Sequence, residues 1–274
     1  MRSLLFVPGS RPERIAKALS AGADETCVDL EDAVAPSAKD EARDAVLAQL
    51  TEDRRFGVRV NPLESEWGRD DVDALAGHGA DAAFVILPKV ESAGQVEILA
   101  AALGPAGAGG IIPVIESAAG LREAWAIASA PGVRAVLFGG DDLAADLGVP
   151  LAWEPLLFAR SQVVAACAAA NVPAIDGPYP DMKDEAGLLT ETERVKALGY
   201  TAKACIHPGQ ISGVTHVFTP AAEEISHAER VLAALDQAGG GAAMLDGKLV
   251  EAGLVRRARR VLERARAAGA APMQ

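Results

Sequence analysis

The chain has 274 residues, half of them hydrophobic and only 4% aromatic, so its core must be built mainly from Ala, Val, Leu and Ile. α/β barrels reach about 250 residues in one piece, so this length admits one large domain or two modest ones, and neither needs disulfide staples. A formal net charge of −12, from 26 basic and 38 acidic residues, argues against a general nucleic-acid binder, because phosphate binding wants a basic face. The apolar stretches are too short to cross a bilayer, and Pro8 arrives before a signal-peptide core could form. Cys27, Cys167 and Cys205 are odd in number and widely spaced, which fits a reducing cytoplasm and no thiolate metal site. An acidic, cytoplasmic α/β protein with no membrane or nucleic-acid partner is expected.

Short aliphatic runs alternate with longer segments of helical period. Leu4–Val7 is followed by Glu13–Ala21, Thr26–Leu30 by Lys39–Leu50, Gly57–Val60 by Asp70–Ala76, and Ala83–Leu87 by Ser92–Leu103. Ile111–Ile115 then leads to Leu121–Ala128, Ala135–Phe138 to Pro155–Ala170, Val172–Ile175 to Asp184–Leu198, and Ala202–Ile206 closes the series. Most of the eight runs lack polar alternation, as strands buried on both faces should. Eight strand–helix units are what closes a (β/α)8 TIM barrel. An open doubly wound sheet would want a Gly-x-Gly-x-x-Gly turn after a strand, and none is present. Pro113 and Pro173 weigh against the fifth and seventh strands, because each removes a ladder donor. The barrel is assigned to residues 1–219 and a C-terminal helical extension to 220–274. That extension reads as a helix over Ala221–Asp236, a flexible joint at Gly239-Gly240-Gly241, and a basic helix over Val255–Ala268. It would serve as a lid, a subunit-contact arm or a cap.

Active sites of such barrels lie at the C-terminal ends of the strands. Reading there, the runs lead into Pro8-Gly9-Ser10-Arg11 with Arg14 and Lys17 beyond, then Glu31-Asp32, Arg59-Val60-Asn61 and Pro88-Lys89. Glu116-Ser117, Gly139-Gly140-Asp141-Asp142, Asp176 and His207-Pro208 complete the set. Carboxylates without a His or Cys cluster suit Mg²⁺ or Mn²⁺ rather than Zn²⁺. Glu116 with either Asp141 or Asp142 is the natural ligand pair; helix capping or pairing with nearby arginines explains the same residues equally well. Gly139 and Gly140 allow close backbone approach to an anion, or form an ordinary tight turn. Arg59 could clamp a carboxylate or an enolate oxygen, or simply pair with Asp29 or Glu31. Lys89 stands where a Schiff-base lysine would stand, although a salt bridge to Glu31 or Asp32 is the commoner use. His207 is expected to be structural.

At these same strand ends the chain resembles the citrate lyase beta subunit family, close to malyl-CoA and citramalyl-CoA lyases. The matching stretches are Arg2-Ser-Leu-Leu-Phe-Val-Pro-Gly-Ser10, Val28-Asp-Leu-Glu-Asp-Ala-Val34 with Lys39 to Arg43, and Val58-Arg-Val-Asn61. Leu87-Pro-Lys-Val-Glu-Ser92, Pro113-Val-Ile-Glu-Ser117, Phe138-Gly-Gly-Asp-Asp-Leu143 and Cys205-Ile-His-Pro-Gly-Gln210 follow in order. The resemblance implies a Mg²⁺-dependent carbon–carbon lyase on a homotrimeric barrel. It implies Glu116 and Asp142 as metal ligands, with Asp141 as a non-ligand neighbour, and Arg59 as the substrate arginine. It also implies Arg14 and Lys17 near the coenzyme A phosphates. Relatives carry Gly-x-Met-Ile-Asp or Gly-x-Met-Val-Asp in the tail, whose Asp is the acid/base; this chain reads Gly247-Lys-Leu-Val-Glu251. Glu251 keeps the carboxylate on a longer arm.

The implied substrates are an acyl-CoA or carrier-bound thioester such as citryl-CoA, and the implied product is an α-keto acid such as oxaloacetate. Three readings stay open at this level. One is the thioester lyase. A second is a metal-dependent aldolase, a malate-synthase-like condensation or a thioesterase on the same site. The third is a non-catalytic subunit that binds the keto acid without turnover.

Overall fold

The computed structural model describes residues 1–51, 56–78, 82–104, 109–239 and 243–269. Its first eight strands are β1 (Ser3–Pro8), β2 (Glu25–Asp29), β3 (Gly57–Arg59), β4 (Val85–Leu87), β5 (Ile111–Ile115), β6 (Val136–Phe138), β7 (Ala174–Asp176) and β8 (Ala202–Cys205). Each pairs in parallel with the next, and β8 pairs back onto β1, Ser3 opposite Lys203, to close a TIM barrel. Around it run α1 (Ile15–Leu19), α2 (Lys39–Leu47), α3 (Glu66–Gly77), α4 (Ala93–Leu103), α5 (Ala118–Arg122) and α6 (Ala124–Ala128). The series continues with α7 (Gly140–Leu147), α8 (Trp153–Ala170), α9 (Glu185–Leu198) and α10 (Ile211–Phe218).

All eight aliphatic runs are strands because each places alternate side chains inside the barrel and the others under a helix. Ile86, Ile112, Val114, Leu137, Ile175 and Ala204 belong to the cluster that fills the interior. Gly57 begins β3 because a Cβ there would run into the Phe84 ring, which fills the same layer. Pro113 does lie within β5, opposite Leu87 of β4. Ile111 directs both its N–H and its C=O toward the β6 side, so Pro113, two residues on, forgoes one donor on that side only. Pro173 falls just before β7 and contributes its carbonyl to the Val136 N–H at 3.0 Å.

Besides α10 and the C-terminal hairpin described below, which no expected segment covers, two elements depart from the expected pattern. The segment Leu121–Ala128 is broken at Glu123 into α5 and α6. A helix not anticipated, α7, starts directly after Gly139, where the glycines read as an anion-contacting or tight turn.

The chain divides into two units, Met1–Thr215 and His216–Gln274. In the second, α11 (Ala222–Gln237) and α12 (Ala252–Ala267) share an apolar cluster with Ala228, Val231, Val250, Val255, Ala258 and Val261. Val255, Ala258, Val261 and Ala265 recur at helical spacing on the buried side of α12, while Arg256, Arg257, Arg259 and Arg260 stay exposed. Between the helices lies an antiparallel hairpin, β9 (Ala243–Leu245) and β10 (Lys248–Val250). Its turn residues Asp246 and Gly247 have φ of 51° and 76°, the two positive values a two-residue hairpin turn requires. Of the expected glycine joint, Gly239 follows α11 with φ 60°, and Gly240 and Gly241 lie outside the described residues. No helix among the described residues is long and apolar enough to cross a membrane.

Candidate active site

Glu116 follows β5 directly and is 6% exposed. Its Oε1 accepts the Lys89 N–H at 2.6 Å. Its Oε2 is open for a specific reason: a Cβ on Gly139 would lie 2.5 Å from it, so the glycine keeps that space free. The Gly139 N–H is itself committed to Ile115 O at 3.0 Å. Amides able to face an anion therefore begin at Gly140, the first residue of α7, where helix geometry leaves N–H groups without intrahelical acceptors.

Asp141 and Asp142 occupy the first turn of α7 and are exposed. Arg59, Glu116, Gly139, Gly140, Asp141 and Asp142 all line one cavity of about 480 Å³, together with Phe6 and Asp32. Burial, followed by the negative charges of Glu31 and then Asp142, pushes the Glu116 carboxyl up to about 7, against the opposing Lys89 N–H and Arg59. An open carboxylate oxygen and a second carboxylate in the same cavity form a hard donor set. Among the described residues no group of three His, Cys, Asp or Glu is placed to hold a metal. Oxygen donors of this kind suit Mg²⁺, which keeps several positions for water and substrate oxygens.

Arg59 ends β3 and forms both of the ion pairs posed as alternatives to substrate binding. Its Nε and Nη2 fork onto Asp29 at 2.6 Å each, and Nη1 lies 2.9 Å from Glu31 Oε2. The guanidinium carbon sits 5.2 Å from the Phe6 ring centroid. Burial alone would lower its pKa; hydrogen bonding to Asp29 and the charges of Asp29, Glu31 and Asp32 more than offset this and raise it. A guanidinium carries five N–H groups, so donors remain on Nη1 and Nη2 for a ligand in the cavity. Lys89 makes the expected salt bridge, with Nζ 3.0 Å from Glu31 and 3.9 Å from Asp32.

Beneath this mouth stands a residue whose role spacing did not suggest. Lys39 is 6% exposed, and its ammonium donates to Leu30 O, Glu31 O and Asn61 Oδ1 at 3.0, 3.0 and 2.6 Å. It ties the β2 turn that carries Glu31 to the end of β3. A lysine opening a helix reads as solvated; only its place in the Val28–Arg43 stretch hinted otherwise. Asp176, counted among the acidic strand ends, is not in the cavity lining. It is fully buried and pairs with Lys203 and with Arg160 Nε at 3.1 Å.

Arg14 and Lys17 are exposed and line a second cavity of about 350 Å³ with His207 and Pro208. Phe6, Val7, Pro8 and Ile206 line both cavities, so the two adjoin. His207 Nδ1 accepts the Gly209 N–H at 3.1 Å, the structural role expected of it. Glu251 belongs to the second unit, where it is exposed at the N-cap of α12 and makes no side-chain cap hydrogen bond.

Residues 2–208 match the model of the HpcH/HpaI aldolase/citrate lyase family. The chain belongs to that family. Residues 158–270 also match a carbon–carbon bond lyase family of the TIM-barrel fold. A (3S)-malyl-CoA thioesterase of Cereibacter sphaeroides is 37% identical over 98% of this chain and 96% of its own length. Citrate lyase subunit beta of Escherichia coli K12 is also 37% identical, over 98% of this chain and 94% of its own. The solved structure of CitE from Mycobacterium tuberculosis, in complex with magnesium, acetoacetate and coenzyme A, superposes with a TM-score of 0.82 at 35% identity, covering 96% of this chain and 97% of that one. This HpcH/HpaI family member is accordingly an enzyme of the carbon–carbon lyase kind.

Proposed function

We propose that the enzyme cleaves a 3-hydroxyacyl thioester, citryl-CoA or a related citramalyl- or malyl-CoA, to an acetyl thioester and an α-keto acid such as oxaloacetate, with Mg²⁺ as its metal. The observation that carries this reading is the open Glu116 Oε2, kept clear by Gly139 in the cavity that Asp142 and Arg59 also line. Glu116 and Asp142 would hold the ion, with Asp141 beside them as a non-ligand. When bound, Mg²⁺ supplies Lewis acidity to the carboxylate and carbonyl oxygens of the keto acid and fixes their orientation.

The chain's own groups do the rest. Cleavage takes the proton of the substrate hydroxyl, sends the carbon–carbon electron pair into a thioester enolate, and returns a proton to the enolate carbon. Arg59, anchored by Asp29 and Glu31, offers its remaining N–H groups to the oxygen on which negative charge gathers. The N–H of Gly140 would receive the substrate carboxylate, and Gly139, whose own N–H is spent on Ile115 O, would contribute only room for close approach. Glu251 would carry the proton as acid/base, and Arg14 and Lys17 would face the coenzyme A phosphates. We further propose a homotrimer working in the cytoplasm. Cys27, Cys167 and Cys205, all free and buried, agree with a reducing compartment.

The near-full-length similarity to a malyl-CoA thioesterase favours a second reading, thioester hydrolysis on the same site. A coupled assay with citryl-, citramalyl- and malyl-CoA, scoring keto acid against free CoA, separates the two. The metal assignment is tested by calorimetry of oxaloacetate binding with and without Mg²⁺. Glu116→Gln and Asp142→Asn should each abolish the Mg²⁺-dependent component while leaving the thermal transition in place. Unchanged binding in both variants would remove them as ligands.

A further inference from the structure

Among the described residues three that are not glycine have positive φ: Lys89 at 54°, Asn171 at 56° and Asp246 at 51°. Asn171 ends α8 and Asp246 sits in the β9–β10 turn, ordinary homes for residues that tolerate this conformation. Lys89 is at neither a helix end nor a hairpin. It follows β4 and meets the cavity-lining Glu116 and Asp32, and lysine has no side-chain chemistry that favours the left-handed region. Such backbone persists only where the surroundings hold it, and such positions cluster at functional sites.

The surroundings here are specific. After Lys89 the chain resumes its course, with Val90 fully buried and its N–H donating to Val114 O at 3.3 Å. The left-handed residue is thus a local turn of one peptide, and the turned N–H is the one that reaches Glu116 Oε1 at 2.6 Å. The same residue's ammonium is pinned by Glu31 at 3.0 Å and Asp32 at 3.9 Å. Glu31 is fixed in turn by Arg59 on its carboxylate and by Lys39 on its carbonyl.

We propose that Lys89 is a positioning residue: its ion pairs with Glu31 and Asp32 hold its backbone left-handed, so that its amide takes Glu116 Oε1 and leaves Oε2 to face the metal. This rests on the reading of Glu116 as a metal ligand. The side chain thereby acts through the backbone, and the amide does what a second carboxylate-orienting donor does in other metal sites.

Three variants separate this from a purely electrostatic role. Lys89→Ala keeps the backbone penalty and loses the ammonium; Lys89→Gly loses the ammonium but adopts φ near 54° freely; Lys89→Arg keeps the cation. The readout is the Mg²⁺ concentration that half-saturates oxaloacetate binding by calorimetry, with thermal melts of the metal-free proteins to confirm folding. Lys89→Ala should raise that concentration about ten-fold, while Lys89→Gly and Lys89→Arg should stay within about three-fold of the unsubstituted enzyme. Equal loss in Lys89→Ala and Lys89→Gly would overturn the proposal, because the charge alone would then account for both. So would full binding by Lys89→Ala. If the unsubstituted enzyme shows no Mg²⁺-dependent oxaloacetate binding, the metal-site reading itself fails, a result distinct from either.

Discussion

Gly139→Ala is the substitution that asks most of this site, because it adds one methyl and removes no ligand. The new Cβ would lie 2.5 Å from both Glu116 Cβ and Glu116 Oε2, and 3.0 Å from Val114 Cγ1. Gly139 has φ −95° and ψ 83°, so alanine meets no left-handed penalty and the effect is one of contact. Restoring ordinary van der Waals separation requires a shift of about 1 Å between Glu116 and the start of α7, and misplacements of that size cost about 10²-fold in rate. The fold should lose about 1–3 kcal/mol, the usual cost of overpacking a buried contact. Urea unfolding measures the second quantity, and Mg²⁺-dependent oxaloacetate calorimetry with lyase turnover measures the first. A variant that unfolds at lower urea, yet binds and turns over within about two-fold of the parent, would show that Glu116 Oε2 is not where the metal chemistry happens.

Three further outcomes follow from other parts of the molecule. Glu251→Ala should lower lyase and thioester-enolisation rates by about 10²–10⁴-fold without weakening oxaloacetate binding, and an unaffected rate removes Glu251 from the mechanism. Arg14→Ala and Lys17→Ala should each raise KM for a CoA thioester by about two- to five-fold, with an effect that shrinks as salt rises; salt-independent kinetics would take them out of phosphate binding. Arg2 holds Asp24 with Nε at 2.9 Å and Nη2 at 2.7 Å, and that hydrogen bonding keeps the Asp24 carboxyl below its ordinary value. A depressed folded value means its stabilisation is complete above the unfolded pKa of about 3.9 and is lost as pH falls through the folded value. Asp24→Asn should therefore cost about 1 kcal/mol at pH 7 and progressively less below pH 4, and a pH-independent difference would contradict the pairing.

What was legible in the chain was what periodicity and residue type encode. Eight aliphatic runs gave eight strands because a TIM-barrel strand is buried on both faces, and burial leaves no polar alternation to mislead the eye. The cavity residues were legible for a related reason: in a parallel barrel the residue after each strand is delivered to one face, so strand ends alone assemble Arg59, Glu116 and Asp142. Side-chain direction was not legible. Asp176 ends a strand like the others, yet its carboxylate turns to Lys203 and Arg160. Lys203, a charge in the middle of an aliphatic run, was the sign of that outward layer, since a buried cation inside a strand implies a buried acid nearby. The Lys39 tripod and the left-handed Lys89 were hidden because each depends on backbone carbonyls or dihedrals that the identity of the residue does not disclose.

The charge balance of the cavity mouth joins these observations into one requirement. Asp29, Glu31, Asp32, Glu116, Asp141 and Asp142 stand at or beside it against the cations Arg59 and Lys89, with Lys39 beneath. Two of the acids are already taken by Arg59, and Lys89 is shared between Glu31 and Asp32, so the carboxylates of α7 and Glu116 have no protein cation of their own among these groups. A dianionic keto acid entering here would add charge of the same sign in a partly desolvated space, where like charges repel far more strongly than in water. A positive helix end at Gly140 offsets only a fraction of that. A divalent ion entering with the acid offsets that repulsion far more fully than a proton on Glu116 or the remaining Arg59 N–H groups, so oxaloacetate affinity should collapse when Mg²⁺ is chelated and return when Mn²⁺, which accepts the same oxygen donors, replaces it.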